Sequence, residues 1–160
     1  MELKNRDTYL KQLISFVDLK PVKVITGIRR CGKSSLLKLM INYLKERNVQ
    51  DGQIVEINFE SMQYYGWDIK KLYDYVMSKK IDGKMMYLFF DEVQRIPDWQ
   101  IAVNSFMVDM ECDIYITGSN AFLLSSELST YLSGRYIEIK MLPLSFKEFA
   151  DFNNYTLMDT

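Results

Sequence analysis

The chain reads as an α/β domain: a parallel sheet with helices on both faces. Segments with apolar residues at helical spacing alternate with short β-rich runs along the 160 residues, the pattern of βαβ units. One run, MMYLFF at 85–90, is continuously apolar, as expected of a strand buried on both faces. The composition, 48% hydrophobic and 26% charged, supplies one globular core and suggests one domain.

The elements follow in order. RDTYLKQLISFV reads as a short amphipathic helix, expected at about 6–18. VKVITG (22–27) is a strand running into a glycine turn. KSSLLKLMINYLKER (33–47) puts Leu36, Leu37, Met40, Ile41 and Leu44 on one helical face. QIVEINFE (53–60) alternates and is rich in β-formers, and MQYYGW (62–67) reads as a loop whose aromatics pack. DIKKLYDYVMSKK (68–80) is a helix with Leu72, Tyr75 and Val76 inward. After the strand at 85–90, a helix is expected to begin near Pro97, followed by the strand DIYITG (113–118). One or two helices within 120–134, a last strand in RYIEIKMLPL (135–144) and a helix start in SFKEFADF (145–152) complete the count at five strands.

Several function classes drop out. The absence of histidine removes His-based acid–base catalysis and His metal ligation. Cys31 and Cys112, far apart, make neither a disulfide framework nor a metal site and suit a reduced, cytoplasmic setting. A formal net charge of -1 gives no global basic field for nucleic acid. Lys70, Lys71, Lys79 and Lys80 form a local basic run, which on a helix is usually a solvated face. No signal peptide opens the chain, and the longest apolar run is far too short to cross a bilayer, so no membrane role is expected. The ending DFNNYTLMDT has no obvious closing element, and a domain cut from a longer protein is the preferred reading.

The informative stretch is TGIRRCGKSSLL. Gly27 through Ser34 fit G-x-x-x-x-G-K-[ST] at every fixed position, between an expected strand and an expected helix. Gly27 lets the chain leave the strand sharply. Gly32 lets backbone N–H groups approach phosphate oxygens with no Cβ in the way. The helix beginning there favours an anion through its free N–H groups and its dipole. Lys33 should reach the β- and γ-phosphates, and the Ser34 hydroxyl should ligate Mg²⁺. The phosphate-binding set is thus Gly27, Ile28, Arg29, Arg30, Cys31, Gly32, Lys33, Ser34 and Ser35. Arg29 and Arg30 add positive charge near the phosphates or pair elsewhere, and Cys31 is a small residue that fits.

MMYLFFDEVQ supplies a partner. Asp91 and Glu92 stand at the carboxyl end of a central strand, the end where open α/β sheets bind ligands. Asp91 is the second metal residue, and Glu92 is placed to polarise an attacking water. ITGSN offers Ser119, or else Asn120, as a polar group near the γ-phosphate; either could equally be a helix N-cap, and Thr117 could face the core. Arg135, in LSGRYIEI, could project into a neighbouring subunit's γ-phosphate or form a structural ion pair.

With these residues assembled, the chain resembles the AAA-type P-loop ATPases, and most of all the prokaryotic group with an arginine-rich GIRRCGKSSLL loop. FFDEVQRIPDW, YITGSN, LSGRYIEI and LPLSFKEF are the other shared pieces, and the likeness runs from about Val22 to Phe149. It implies a three-layer α/β/α sandwich with a five-stranded parallel sheet in the order 5-1-4-3-2. Lys33 and Ser34 (Walker A), Asp91 and Glu92 (Walker B), a sensor at Ser119 or Asn120, and an arginine finger at Arg135 carry over. ATP and Mg²⁺ are the implied cofactors, a homo-oligomer through Arg135 an implied assembly. Family members continue into a helical lid and a C-terminal domain sometimes linked to DNA or other partners; neither follows here, so residues 1–160 read as the ATPase core alone.

The expected function is Mg²⁺-dependent ATP hydrolysis to ADP and phosphate, driving movement of attached parts. The alternative is a nucleotide-gated switch or DNA-associated module with little hydrolysis. A small-molecule kinase fits less well, because the Asp-Glu pair favours water as acceptor. A GTPase would need an Asn-Lys-x-Asp that does not occur.

Overall fold

The computed structural model describes residues 7–28, 31–119, 132 and 134–142. Its order is α1 (Asp7–Ile14), β1 (Val22–Thr26), α2 (Lys33–Glu46), β2 (Ile54–Asn58), α3 (Ile69–Lys79), β3 (Met86–Asp91), α4 (Trp99–Asp109), β4 (Cys112–Gly118) and β5 (Tyr136–Lys140), with short 3₁₀ turns at Asp51–Gln53, Met62–Tyr64 and Val93–Arg95. The five strands form one sheet in the order β2-β3-β4-β1-β5, the expected 5-1-4-3-2 read from the other edge. Every pairing is parallel. Apart from Leu132 and Gly134, the segments of the helices expected within 120–134 and at 145–152 lie outside the described residues.

Strand alternation sorts the core into two layers. Val22, Val24, Leu88, Phe90, Ile114 and Ile116 pack with Leu72 and Val76 of α3 and Trp99, Val103 and Phe106 of α4. Ile25, Phe89, Tyr115 and Ile139 face the other way, against Leu13 of α1 and Leu36, Leu37, Met40, Ile41 and Leu44 of α2. β3 is buried along its whole length, as its continuous apolar run requires.

Three local departures have identifiable causes. α1 stops at Ile14, and the turns that follow end at Asp18 in left-handed backbone (φ 66°). α4 starts at Trp99 rather than near Pro97, because Asp98 also takes left-handed backbone (φ 60°) and helical geometry cannot extend back through it. Tyr75 is only half-buried; the Trp67 ring covers it edge-on at 5.3 Å. Trp67 also meets Tyr64 at 4.9 Å, so these two aromatics of 62–67 are packing residues, while Tyr65 stays exposed.

The amino-terminal ends of the strands hold a polar network inside the α1/α2 layer. Lys23 and Asp113, each second in its strand, are fully buried and 2.6 Å apart. Lys23 also donates to the Leu19 carbonyl. The Asp113 carboxylate accepts from the Tyr115 hydroxyl at 2.7 Å and the Asp18 N–H at 2.9 Å. Tyr87 donates to Asp18 at 2.7 Å. The network fastens the turn after α1 to three central strands.

Candidate functional site at the carboxyl ends of the strands

The opposite strand ends carry the sequence motifs. Gly27 follows β1, and a Cβ there would stand 2.5 Å from Cys31 Sγ and 2.9 Å from the Met141 carbonyl oxygen. The Met141 N–H donates to the Thr26 carbonyl at 2.8 Å, so the chain leaving β5 forms a wall of the loop. Position 27 is therefore glycine for lack of space. Position 32 is glycine for its backbone: Gly32 is left-handed at φ 99° and turns the chain into α2. The first turn of α2 has no side-chain cap and no acidic residue, which leaves its N–H groups and dipole open to an anion.

Lys33, the first residue of α2, is 5% exposed. Its ammonium folds back over the loop and donates to the carbonyls of Gly27 at 2.9 Å and Ile28 at 3.0 Å. Both partners are neutral, so the charge stays available to an anion in the cradle. Ser34 donates its hydroxyl to Asp91 Oδ2 at 2.5 Å, joining the two motifs across 57 residues of sequence. The structure thus puts Lys33 and Asp91 at the same end of the sheet.

The acidic pair is tightly held. Asp91, last in β3, is 7% exposed, and its other oxygen accepts from Thr117 Oγ1 at 2.5 Å. Thr117 Oγ1 in turn accepts the Glu92 N–H at 2.9 Å. Glu92 is left-handed (φ 56°, ψ 51°), a conformation a non-glycine residue keeps only where its surroundings fix it. Its carboxylate accepts from Gln94 Nε2 at 2.5 Å. Among the described residues, Gln94 Oε1 is buried with no hydrogen-bond partner. Thr117 was read from the sequence only as a residue that could face the core, which its full burial bears out, and Gln94 was not singled out. A threonine inside a strand looks like an ordinary β-former; its one signal is alternation, which puts it on the α2 side of β4 with Tyr115.

The remaining sequence candidates divide. Ser35 and Ser119 are half-buried, Ser119 directly after β4. Cys31 is buried and Ile28 is 53% exposed at the loop's mouth. Arg29, Arg30 and Asn120 lie outside the described residues. Arg135 is exposed and donates to Asn104 Oδ1 at 2.7 Å. It precedes β5 at the end where Val22 pairs with Tyr136, so the length of β1, roughly 17 Å, separates it from the glycine turn after β1.

These residues fit a magnesium-bound polyphosphate. Ser34 and Asp91 offer hard oxygen donors, and magnesium takes one or two carboxylates and completes its shell with substrate phosphates and water. Among the described residues, no cluster of three or more Cys, Asp or Glu could cage a metal alone, so phosphate oxygens would have to complete such a site.

The AAA domain family matches residues 19–150. The chain belongs to the AAA-domain family. Over 152 residues it is 44% identical to an uncharacterized protein of Haemophilus influenzae, and over 153 residues 34% identical to one of Methanocaldococcus jannaschii. These alignments cover 94% and 96% of this chain but 38% and 32% of those proteins, so the AAA domain here spans about a third of the length of the curated relatives it matches. Among solved structures, the fold is similar to a DNA polymerase III gamma-subunit-related protein of Thermotoga maritima (TM-score 0.63, 12% identity, 89% of this chain and 48% of that one). It is also similar to a Walker-type ATPase of Pyrococcus abyssi (TM-score 0.59, 20% identity, 96% and 59%) and to PCH-2 of C. elegans (TM-score 0.62, 20% identity, 87% and 43%). The family match and the shared fold make this chain an AAA-type P-loop domain. No helix among its described residues is long and apolar enough to cross a membrane.

Proposed function

We propose that this AAA domain binds Mg-ATP and hydrolyses it to ADP and phosphate, and that the cycle moves attached domains or partners. The observation that carries the reading is the 2.5 Å contact between Ser34 and Asp91, which brings the phosphate loop and the acidic strand tip to one point. The loop from Gly27 to Gly32 and the start of α2 cradle the phosphates, and Lys33 exchanges two carbonyl partners for phosphate oxygens. Ser34 and Asp91 hold the Mg²⁺, which neutralises charge on the phosphates when bound. Glu92 orients the attacking water, and Ser119 or Asn120 senses the γ-phosphate. Arg135, at the far end of the sheet, acts only on a neighbouring subunit's nucleotide. The coupling to other parts of a whole protein, including DNA or protein partners, is supported by the greater length of the curated relatives.

One observation favours a second reading, a nucleotide-gated switch with little turnover alone. Arg135 is held by Asn104 away from its own loop, so a single subunit lacks that cation at the γ-phosphate. Measuring ATP binding and phosphate release with and without Mg²⁺ separates the two. The hydrolase reading expects Mg²⁺-dependent release, loss of ATP affinity by about tenfold or more in Lys33→Ala, and about a hundredfold loss of turnover with binding kept in Glu92→Gln. Binding without release supports the switch, and nucleotide-independent behaviour in every sample removes both.

A further inference from the structure

We infer that Thr117 is the positioning residue of this site, coupling the metal-side carboxylate of Asp91 to the backbone of Glu92 through one hydroxyl. The role of Glu92 rests on the hydrolase reading above; the coupling itself rests on geometry. Thr117 is fully buried. A hydroxyl has one proton and two lone pairs. Here the proton goes to Asp91 Oδ1 at 2.5 Å, which leaves lone pairs facing the Glu92 N–H at 2.9 Å. The two bonds share one oxygen: a hydroxyl that turned its proton toward the Glu92 N–H would lose the bond to Asp91 and the bond from Glu92 together.

Glu92 needs that acceptor. Its left-handed backbone persists where neighbours over-determine it, and Thr117 holds its main chain while Gln94 holds its side chain. Ser34, Asp91, Thr117 and Glu92 therefore form one chain of hydrogen bonds from the start of α2 to the turn after β3, with links of 2.5, 2.5 and 2.9 Å. A shift of Asp91 on engaging a cation beside Ser34 is passed to the Glu92 backbone through Thr117. Such linked bonds polarise one another, so the effect of breaking one is not local.

Thr117→Val keeps the shape and removes the hydroxyl, while Thr117→Ser keeps the hydroxyl. The readouts are the Mg²⁺ midpoint for ATP binding, and kcat and KM at saturating Mg²⁺. In Thr117→Val the midpoint should rise by about threefold or more and kcat fall by about tenfold or more, with KM within about twofold of the parent. Thr117→Ser should return both to within about twofold. In a Glu92→Gln background, Thr117→Val should move the midpoint with no further loss of kcat. An unchanged midpoint and kcat in Thr117→Val, no rescue by serine, or additive kcat losses would each overturn the inference. Should the valine variant not fold, Thr117→Cys, a weak donor of similar size, takes its place with the same expectations. A parent chain that binds Mg-ATP without releasing phosphate removes the hydrolase reading alone; the midpoints still decide, a serine-rescued shift upholding the coupling and no shift overturning it.

Discussion

Two polar clusters lie in the same layer between the sheet and α2, at opposite ends of the strands. From Asp113 to Thr117 along β4 is about 13 Å. At the amino ends, Lys23, Asp113, Tyr115, Tyr87 and Asp18 complete one another. The lysine and aspartate are fully shielded, and their bonds fasten a turn. At the carboxyl ends, the groups are also bonded, but to stand-ins. Lys33 rests on neutral carbonyls, Asp91 on two hydroxyls, and Glu92 on an amide whose own oxygen has no partner among the described residues. The difference teaches how to separate structural from functional polarity. Charge paired with charge and shut away from solvent holds the fold, whereas charge parked on exchangeable dipoles beside strained backbone is available for a ligand.

Breaking the closed cluster should have the larger effect on stability. Lys23→Met leaves Asp113 buried without its cation and should cost about 3–5 kcal/mol, read as a lowered denaturant midpoint. ATP affinity should follow stability, falling only where the chain unfolds. Gly27→Ala strikes the open cluster through packing. Its methyl would meet a sulfur and a backbone oxygen, so about 1–3 kcal/mol of stability should be lost and ATP affinity should fall even where the domain is folded. Unaltered affinity in folded Gly27→Ala would sever the loop from the wall formed after β5.

The smallest effect sharpens the comparison through pH. Burial, then the Asp113 charge and the hydrogen bond to it, push the Tyr115 phenol up. Burial and Asp18 do the same for Tyr87, and burial pushes the Cys112 thiol up to about 12. These groups keep protons in the folded chain that the unfolded chain gives up, from about pH 9 for the thiol and about pH 10 for the phenols. Stability is therefore fully present below those values and declines as pH rises through the alkaline range. Tyr115→Phe should cost about 1 kcal/mol at neutral pH and flatten the decline between about pH 10 and 12, which urea unfolding at several pH values would report. An equally steep decline in Tyr115→Phe would show that Tyr115 contributes nothing to it.

What could be read in advance follows from how local the signal is. The strand and helix pattern needs only neighbours in sequence, so MMYLFF and the apolar face of 33–47 led to β3 and α2. The G-x-x-x-x-G-K-S motif is equally local: eight consecutive residues place two glycines, a lysine and a serine. The strand order came from the family resemblance, since periodicity does not say which strands are neighbours. Lys23 and Asp113 are 90 residues apart and neither carries a mark of its partner. Thr117 was legible only as a core-facing residue for the same reason, because its contacts exist only once β4 lies beside β3. Left-handed Glu92 and Asp98 were hidden because neither is glycine, the usual sign of such backbone.

The alternation along β3 has a consequence for errors of assembly. Tyr87, Phe89 and Asp91 face α2, while Met86, Leu88 and Phe90 face α3 and α4. A slip of one residue would exchange these sets, sending a carboxylate in among Trp99 and Phe106 and bringing a benzyl ring to the serine. A slipped β3 would thus bury an unpaired carboxylate and break the Ser34–Asp91 contact in one step, so the register that satisfies the core is also the one that assembles the candidate site.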